Sequence, residues 1–394
     1  MTISRPRILV IGMGWPDEQP GGLNTYVRSI VRTLKGSCDV HVLVCGHTLP
    51  VEDGVAFAGP VSSKRSLLQR QFDFRKLAAR EMSVHAFDLV YVHFAPYAVG
   101  PMLEARKRQI PVVFGFHGPW AEEMKVEKQG IVQSVKTATA RTMEKRAYRM
   151  ADHFIVLSEA FAHILHRSYR IPHERIHVIP GGADHRFQVA EDRDQVRDSL
   201  GIPKDRLVVL TIRRLVNRMG LIPLVKAWRQ VVDRYPDAIL YIGGKGPLYE
   251  ELLQEIAALG LEDHVRLLGY IEDERLPLYY RAADLFVVPS RTLEGFGLIT
   301  VEALASGIPV AATPIGGSKE IIEKWDARFL FKGIHEGQMA EGLLALLEDR
   351  ESWPSQQACR SYFEQHYTWE QAGKQIYQLF EQVWRQKEEQ ACIG

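Results

Sequence analysis

Short apolar runs rich in Val, Ile and Leu recur along the chain, each separated from the next by a longer stretch of mixed polarity. In the first half they are Arg7–Ile11, Val40–Cys45, Leu89–His93, Val112–Phe116, Phe154–Leu157 and Ile176–Pro180. In the second they are Leu207–Ile212, Ala238–Gly243, Val265–Leu268, Leu285–Pro289 and Ile308–Ala312. Nearly continuous apolarity over so few residues predicts strands buried on both faces. Between them, apolar positions recur with helical period over Leu23–Leu34, Ser66 to about Ser83, Arg141–Met150, Leu298–Ser306 and Trp369 to about Gln390. Strands alternating with helices throughout predict an α/β fold. At 394 residues the chain exceeds one ordinary core and suits two domains. The polar run 185–203 reads as the linker, giving expected domains 1–185 and 186–368, followed by a terminal helix 369–394.

The most legible stretch is Ser290 to Gly317, SRTLEGFGLITVEALASGIPVAATPIGG. A buried strand feeds a glycine-rich loop, Glu294-Gly295-Phe296-Gly297, then a helix that Gly307 ends, then a second strand. The loop thus falls at a strand's carboxyl end, where open parallel sheets bind ligands. Side chains on a helix lean towards its N-terminus, so Glu302 can point back at the mouth where Glu294 sits. The unpaired N–H groups at the helix start, near Leu298 and Ile299, suit a phosphate. Two carboxylates that seek hydroxyls beside a backbone that seeks phosphate form the chemistry of a nucleotide-sugar pocket.

The string EGFGLITVE followed by ALASGIPVAATPIGG resembles the E-x7-E signature of family 4 retaining glycosyltransferases. That resemblance covers nearly the whole chain and is most specific over Gly269–Gly317. It implies a GT-B fold: two Rossmann-like domains facing across a cleft, with the C-terminal helix crossing back to the first. It also implies that Glu302 chelates the ribose hydroxyls, and that Glu294 with the N–H groups of Phe296 and Gly297 grips the transferred sugar. Main-chain groups at Ile271, after Gly269-Tyr270, would hold the base. Gly21-Gly22, ahead of the first helix, would lie over the diphosphate and face the acceptor. His117, directly after a core strand in FHGPW, would sit near the sugar 6-hydroxyl and the anomeric centre.

One motif departs from the pattern. Where such chains carry G-R-L-x-x-x-K-G, with Arg and Lys neutralising the leaving diphosphate, this one reads Arg213-Arg214-Leu215-Val216-Asn217-Arg218-Met219-Gly220. Arg214 matches the arginine, and Met219 stands at the lysine position. Methionine cannot hold phosphate, so Arg218 is the expected replacement cation, since a guanidinium binds phosphate in a fork.

Other features narrow the field. Gly12-Met13-Gly14 lacks the third glycine of a dinucleotide fingerprint. Asp192-Arg193-Asp194 lies in the polar run rather than at a strand end, and no cluster has metal-ligand spacing, so no metal and no cofactor are expected. His163 and His166 read as surface or packing residues. Net charge is +1, which points away from nucleic acid as a partner. Residues 1–185 nevertheless carry 24 Lys and Arg against 17 Asp and Glu. This basic half, including the amphipathic stretch from Ser66, fits an anionic acceptor or peripheral contact with a membrane, and fits a solvated surface equally well. Cys38, Cys45, Cys359 and Cys392 form no C-x-x-C pair and read as reduced thiols. The N-terminus is too short in its apolar run for a signal peptide, so the expected location is cytoplasmic, with the inner face of a membrane as the alternative.

The expected activity is metal-independent retaining transfer of a hexose, glucose first, from a UDP-sugar to a saccharide or lipid-linked acceptor in polysaccharide or glycoconjugate synthesis. Three rivals stay open: a GT-B epimerase or phosphorylase, a glycoside hydrolase using Glu294 and Glu302, and a non-catalytic subunit that binds nucleotide, which Met219 motivates.

Overall fold

The computed structural model describes residues 5–46, 52–59, 61–127 and 131–393, with the side chains of all but 131–133 and 388–393. Cys392, counted above among the thiols, has its side chain outside that set, as are the first four residues of the N-terminus. The chain divides into two compact units, Met1–Gly181 with Trp369–Gly394, and Gly182–Thr368.

The first unit is built on seven strands: β1 (Arg7–Gly14), β2 (Asp39–Cys45), β3 (Val55–Phe57), β4 (Leu89–Val92), β5 (Val112–Phe116), β6 (His153–Val156) and β7 (Ile176–Val178). They lie in the order β3-β2-β1-β4-β5-β6-β7, every pair parallel. Ile8 of β1 sits opposite Val40 on one side and Leu89 on the other, all three fully buried. Strands covered on both faces have no need of polar alternation, which is why their sequence reads as unbroken apolar runs. The chain winds outward from β1 through β2 to β3, then returns to start again at β4. The order therefore reverses between β1 and β4, where doubly wound sheets open a ligand crevice.

The second unit has five strands, β8 (Leu207–Ile212), β9 (Ala238–Gly243), β10 (Val265–Gly269), β11 (Leu285–Val288) and β12 (Val310–Ala312). Their order is β10-β9-β8-β11-β12, again parallel throughout, with the reversal between β8 and β11. Both sheets are of the Rossmann-like kind expected from the alternation of elements.

Trp369–Ile393 is a helix that belongs to the first unit. Trp369 meets Tyr26 edge-on at 5.4 Å and Phe380 meets Tyr91 at 5.1 Å. Gly373 lets this helix approach closely, since a Cβ there would lie 2.1 Å from Cγ2 of Thr33.

Part of the polar run 185–203, read above as linker, is helical, and the run belongs to the second unit. Asp192 caps a helix Arg193–Leu200 by accepting from the Gln195 N–H at 3.0 Å, and Gly201 ends it in the left-handed region at φ 65°. From this helix Arg193 and Arg197 each reach Asp284, at 2.8 Å, one on each carboxylate oxygen. β3 has no counterpart among the apolar runs above, and the helix expected over Arg141–Met150 runs Ile131–Tyr148. Among the described residues no helix is long and apolar enough to cross a membrane. Cys38, Cys45 and Cys359 are buried free thiols.

Candidate functional site

In the second unit, the loops leaving β8 and β11 flank the reversal of strand order, and they are stitched together. β8 runs into Arg213 and Arg214, then a short turn of 3-10 helix Asn217–Met219, then Gly220. Gly220 is left-handed at φ 73°, and a Cβ there would stand 1.8 Å from the Pro289 carbonyl oxygen. Only glycine lets the two loops touch so closely. The Arg291 N–H donates to the Arg218 carbonyl at 2.9 Å, and Arg218 Nη1 donates to the Leu293 carbonyl at 3.0 Å. Arg218 is thus a buried brace under the loop that presents Glu294. Met219 is buried beside it, while Arg214 is exposed.

Glu294 has a partner that sequence reasoning missed. Arg213 Nη2 donates to Glu294 Oε2 at 2.6 Å, with side-chain exposures of only 4% and 11%. The Ser290 hydroxyl donates to the same oxygen. Burial pulls the Arg213 pKa down, and the adjacent Glu294 carboxylate pushes it back up. Arg218 and Tyr280 also lie near enough to act on it electrostatically. Nε and Nη1 of Arg213 are buried with no hydrogen-bond partner among the described residues. A desolvated guanidinium with spare donors next to a carboxylate is costly unless something uses it. The one sequence signal was the pattern itself: Arg213 occupies the place where the resembled motif has its glycine.

Against the loop packs the start of the helix Gly316–Trp325. Gly317 N–H donates to the Glu294 carbonyl at 3.1 Å, and a Cβ on Gly316 would fall 1.8 Å from that same oxygen. Gly297, at φ 82°, then starts the helix Leu298–Ala305, with Phe296 buried against Tyr367. Leu298 and Ile299 open the helix, so their N–H groups have no carbonyl one turn back to bond.

Glu302 sits one turn further on. The Tyr280 hydroxyl donates to its Oε2 at 2.8 Å. Burial raises its pKa to about 7, while that hydrogen bond and the charge of Arg186 pull the other way. Asp273 and Asp184 add to the rise. Arg186 itself is held by the Asp273 carbonyl at 2.8 Å. After β10, Ile271 is buried, with its Cδ1 2.6 Å from the place a Cβ on Gly243 would take. Its neighbour Tyr270 is exposed and carries Lys245 Nζ over its ring at 4.4 Å. The Gly244–Pro247 turn packs on the Arg213–Leu215 segment, with Leu215 N–H donating to Lys245 O at 2.9 Å.

The first unit gathers a separate cluster at the carboxyl ends of its central strands. His117 follows β5 and its Nε2 lies 3.0 Å from Nδ1 of His93, which follows β4. Gly115 makes room for this, since a Cβ there would come within 2.7 Å of His93 Nδ1. Tyr26 packs edge-on against His117 at 4.7 Å, and Tyr91 lies 4.0 Å from His93. Burial lowers the His117 pKa to about 3 and takes His93 well below its usual value, so both rings are neutral at pH 7 and act as hydrogen-bonding groups rather than cations. Gly21 and Gly22 are exposed, and nothing stands within 4 Å of where a Cβ on Gly21 would point. Two residues after them, in the helix Gly22–Leu34, Asn24 Oδ1 accepts from Gly14 N–H at 3.1 Å while its Nδ2 donates to the Gln19 carbonyl at 2.7 Å. A side chain therefore fills the turn after Gly12-Met13-Gly14. His166 stacks on His173 at 3.8 Å and meets the Ile171 carbonyl, a packing role.

Comparison with known proteins bears on both halves. Residues 192–366 match the model of "Glycosyl transferases group 1", and residues 20–187 match that of "Glycosyltransferase Family 4". A D-inositol 3-phosphate glycosyltransferase of Nocardia farcinica is 29% identical over 355 residues, covering 84% of this chain and 78% of that protein. Mannosylfructose-phosphate synthase of Agrobacterium fabrum is 36% identical over 181 residues, 43% of this chain and 39% of that one. Among solved structures, sucrose-phosphate synthase from Thermosynechococcus elongatus superposes with a TM-score of 0.80 at 22% identity, over 97% of this chain and all (100%) of that chain. Anabaena HepE, solved in complex with UDP and glucose, gives 0.73 at 23% identity over 95% of this chain and 99% of its own. With two doubly wound units and the Glu294–Glu302 strand–loop–helix at the second unit's switch point, the chain belongs to the family 4 glycosyltransferases of GT-B fold.

Proposed function

We propose that this glycosyltransferase moves a hexose, glucose first among candidates, from a UDP-sugar to a saccharide or lipid-linked acceptor, with retention at the anomeric carbon and without a metal ion. The observation that carries the reading is the convergence, at one switch point, of Glu294, Glu302, Arg213, Arg218 and the opening N–H groups of the helix Leu298–Ala305. Departure of a diphosphate from a sugar leaves a strongly anionic group facing an oxocarbenium-like carbon. In this reading the helix start and Arg214 stabilise that anion, and Arg218 adds positive potential while fixing the loop. Glu294 grips hydroxyls of the transferred sugar together with the N–H groups of Phe296 and Gly297. Glu302 takes the ribose hydroxyls, and main-chain groups at Ile271 take the base. His117 is assigned to the transferred sugar and Gly21-Gly22 to the acceptor.

In this scheme the acceptor oxygen bonds to the anomeric carbon on the face the diphosphate leaves. The carbon–oxygen bond to phosphate breaks, and the departing phosphate oxygen takes the acceptor's proton. A polysaccharide or glycoconjugate product and a cytoplasmic location, with peripheral membrane contact through the basic first half, complete the reading. The UDP donor is supported by the UDP bound in the HepE complexes, and a sugar acceptor by the mannosylfructose-phosphate and sucrose-phosphate synthases among the similar proteins. Met219, buried where the resembled motif has its lysine, favours one second reading: nucleotide binding without turnover.

The deciding experiment screens UDP-, GDP- and ADP-sugars by thermal shift, because a bound ligand raises apparent stability. The best donor is then assayed for sugar release and transfer over a panel of acceptors, and the anomeric configuration of the product is read by NMR. Stabilisation by a UDP-hexose with a retained product supports the proposal. UDP binding with no turnover on any acceptor supports the second reading.

A further inference from the structure

Far from the switch-point loops of its own unit, the first unit holds a group of side chains that the transfer reaction does not use. His41, toward the amino end of β2, faces Glu81 and His85 on the helix Leu67–Val84 and its cap. One ligand atom from each, a ring nitrogen from each histidine and a carboxylate oxygen, lies within 4.8 Å of the others. We propose that His41, Glu81 and His85 form a binding site for a divalent cation of the zinc class, which clamps β2 to this helix.

Four features of the geometry point to an ion rather than to a plain hydrogen bond. Glu81 and His85 are one helical turn apart, so both side chains project from one face towards the strand. His41 Nδ1 and Glu81 Oε2 are 3.3 Å apart. A charge-assisted hydrogen bond between such groups closes to about 2.7–2.9 Å. Two ligand atoms held at about 2.0–2.1 Å around a tetrahedral zinc ion stand roughly 3.3–3.4 Å apart, which is the spacing seen. The other nitrogen of His41, Nε2, is 3.7 Å from Asp39 Oδ1. A carboxylate behind the far ring nitrogen is the arrangement that orients metal-binding histidines. Finally, Phe87 packs edge-on against His41 at 5.1 Å and lies 6.3 Å from the His85 ring, walling one side with apolar surface.

The donor set of two imidazoles and one carboxylate suits zinc and its neighbours rather than magnesium or calcium, which take oxygen ligands. His85 is half-buried, and a fourth position is left for water. Nothing along the chain announces the site, because His41 is remote from the Glu81–His85 pair and the three meet only through the pairing of strand and helix.

The test uses the full chain, free of affinity tag and stripped with EDTA, titrated calorimetrically with zinc chloride. The expected result is one zinc per chain, a raised melting temperature, and on cobalt substitution the d–d absorption of a four-coordinate ion. His85→Gln, at the half-buried helix end, should abolish stoichiometric binding while circular dichroism stays native. Asp39→Asn should weaken it by about tenfold or more, the cost of losing an orienting partner. His166→Gln, in the separate imidazole stack, should leave it unchanged. No stoichiometric zinc in the wild type, or equal binding in His85→Gln, would overturn the proposal.

Discussion

Glu302 offers the sharpest test of how the donor is held, because its ionisation falls inside the working pH range. Burial lifts its pKa to about 7, so the carboxyl is half protonated near neutrality when no donor is bound. Only the carboxylate can accept hydrogen bonds from both hydroxyls of a ribose. With a pKa of about 7, roughly nine-tenths of the chains are ionised at about pH 8 and roughly one-tenth at about pH 6. Apparent affinity scales with the competent fraction, so the dissociation constant for UDP should rise about tenfold across that interval. The perturbation is Glu302→Gln, which keeps the shape and removes the titration. Calorimetric titration of wild type and variant at the same pH values lets the ionisation of the nucleotide's own phosphate cancel in the ratio. The wild type should lose affinity on acidification relative to the variant. A ratio flat with pH, or one that favours the wild type more at low pH, would refute the assignment of Glu302 to the ribose. The same shift has a consequence for folding. Between pH 4.5 and about 7 the folded chain holds a proton that the unfolded chain has released, so this group's contribution to stability falls as pH rises through that window.

Three further outcomes follow from the buried contacts. Arg213→Met leaves Glu294 desolvated without its counter-charge and should cost about 3–5 kcal/mol of stability by urea denaturation, with Arg213→Lys recovering part of it. Arg218→Ala removes both a cation and the brace on the Leu293 carbonyl, and should lower turnover by about a hundredfold or more in a donor-consumption assay. A wild-type rate there would remove Arg218 from the electrostatic account. Gly220→Ala forces a Cβ into the Pro289 carbonyl and should separate the two loops, weakening UDP binding in the same calorimetric assay while the circular dichroism of the chain stays close to native.

The fold was legible because every central strand is buried on both faces and so announces itself as an apolar run. β3 escaped notice since Val55–Phe57 is an edge strand with polar flanks, whose short apolar stretch looks like any loop. The helix Arg193–Leu200 reads as linker because it is polar by composition. Its order comes from an Asp192 cap and from Arg193 and Arg197 converging on Asp284, a carboxylate remote in sequence. The strand–loop–helix carrying Glu294 and Glu302 could be read directly, since its chemistry is contiguous. Arg213 and His93 could not, because each acquires its meaning from a partner that follows another strand: Glu294 in one case, His117 in the other. Contacts across a sheet depend on strand order, and strand order is not written in local spacing.

The central claim is that the diphosphate of a nucleotide sugar lies on the helix start at Leu298–Ile299, with Glu302 on the ribose and Glu294 on the hexose side. A crystal structure of the chain soaked with UDP tests it most directly. The account predicts phosphate oxygens within hydrogen-bond distance of the Leu298 and Ile299 N–H groups and both ribose hydroxyls on Glu302. Nucleotide seated elsewhere, with neither carboxylate in contact, would contradict it.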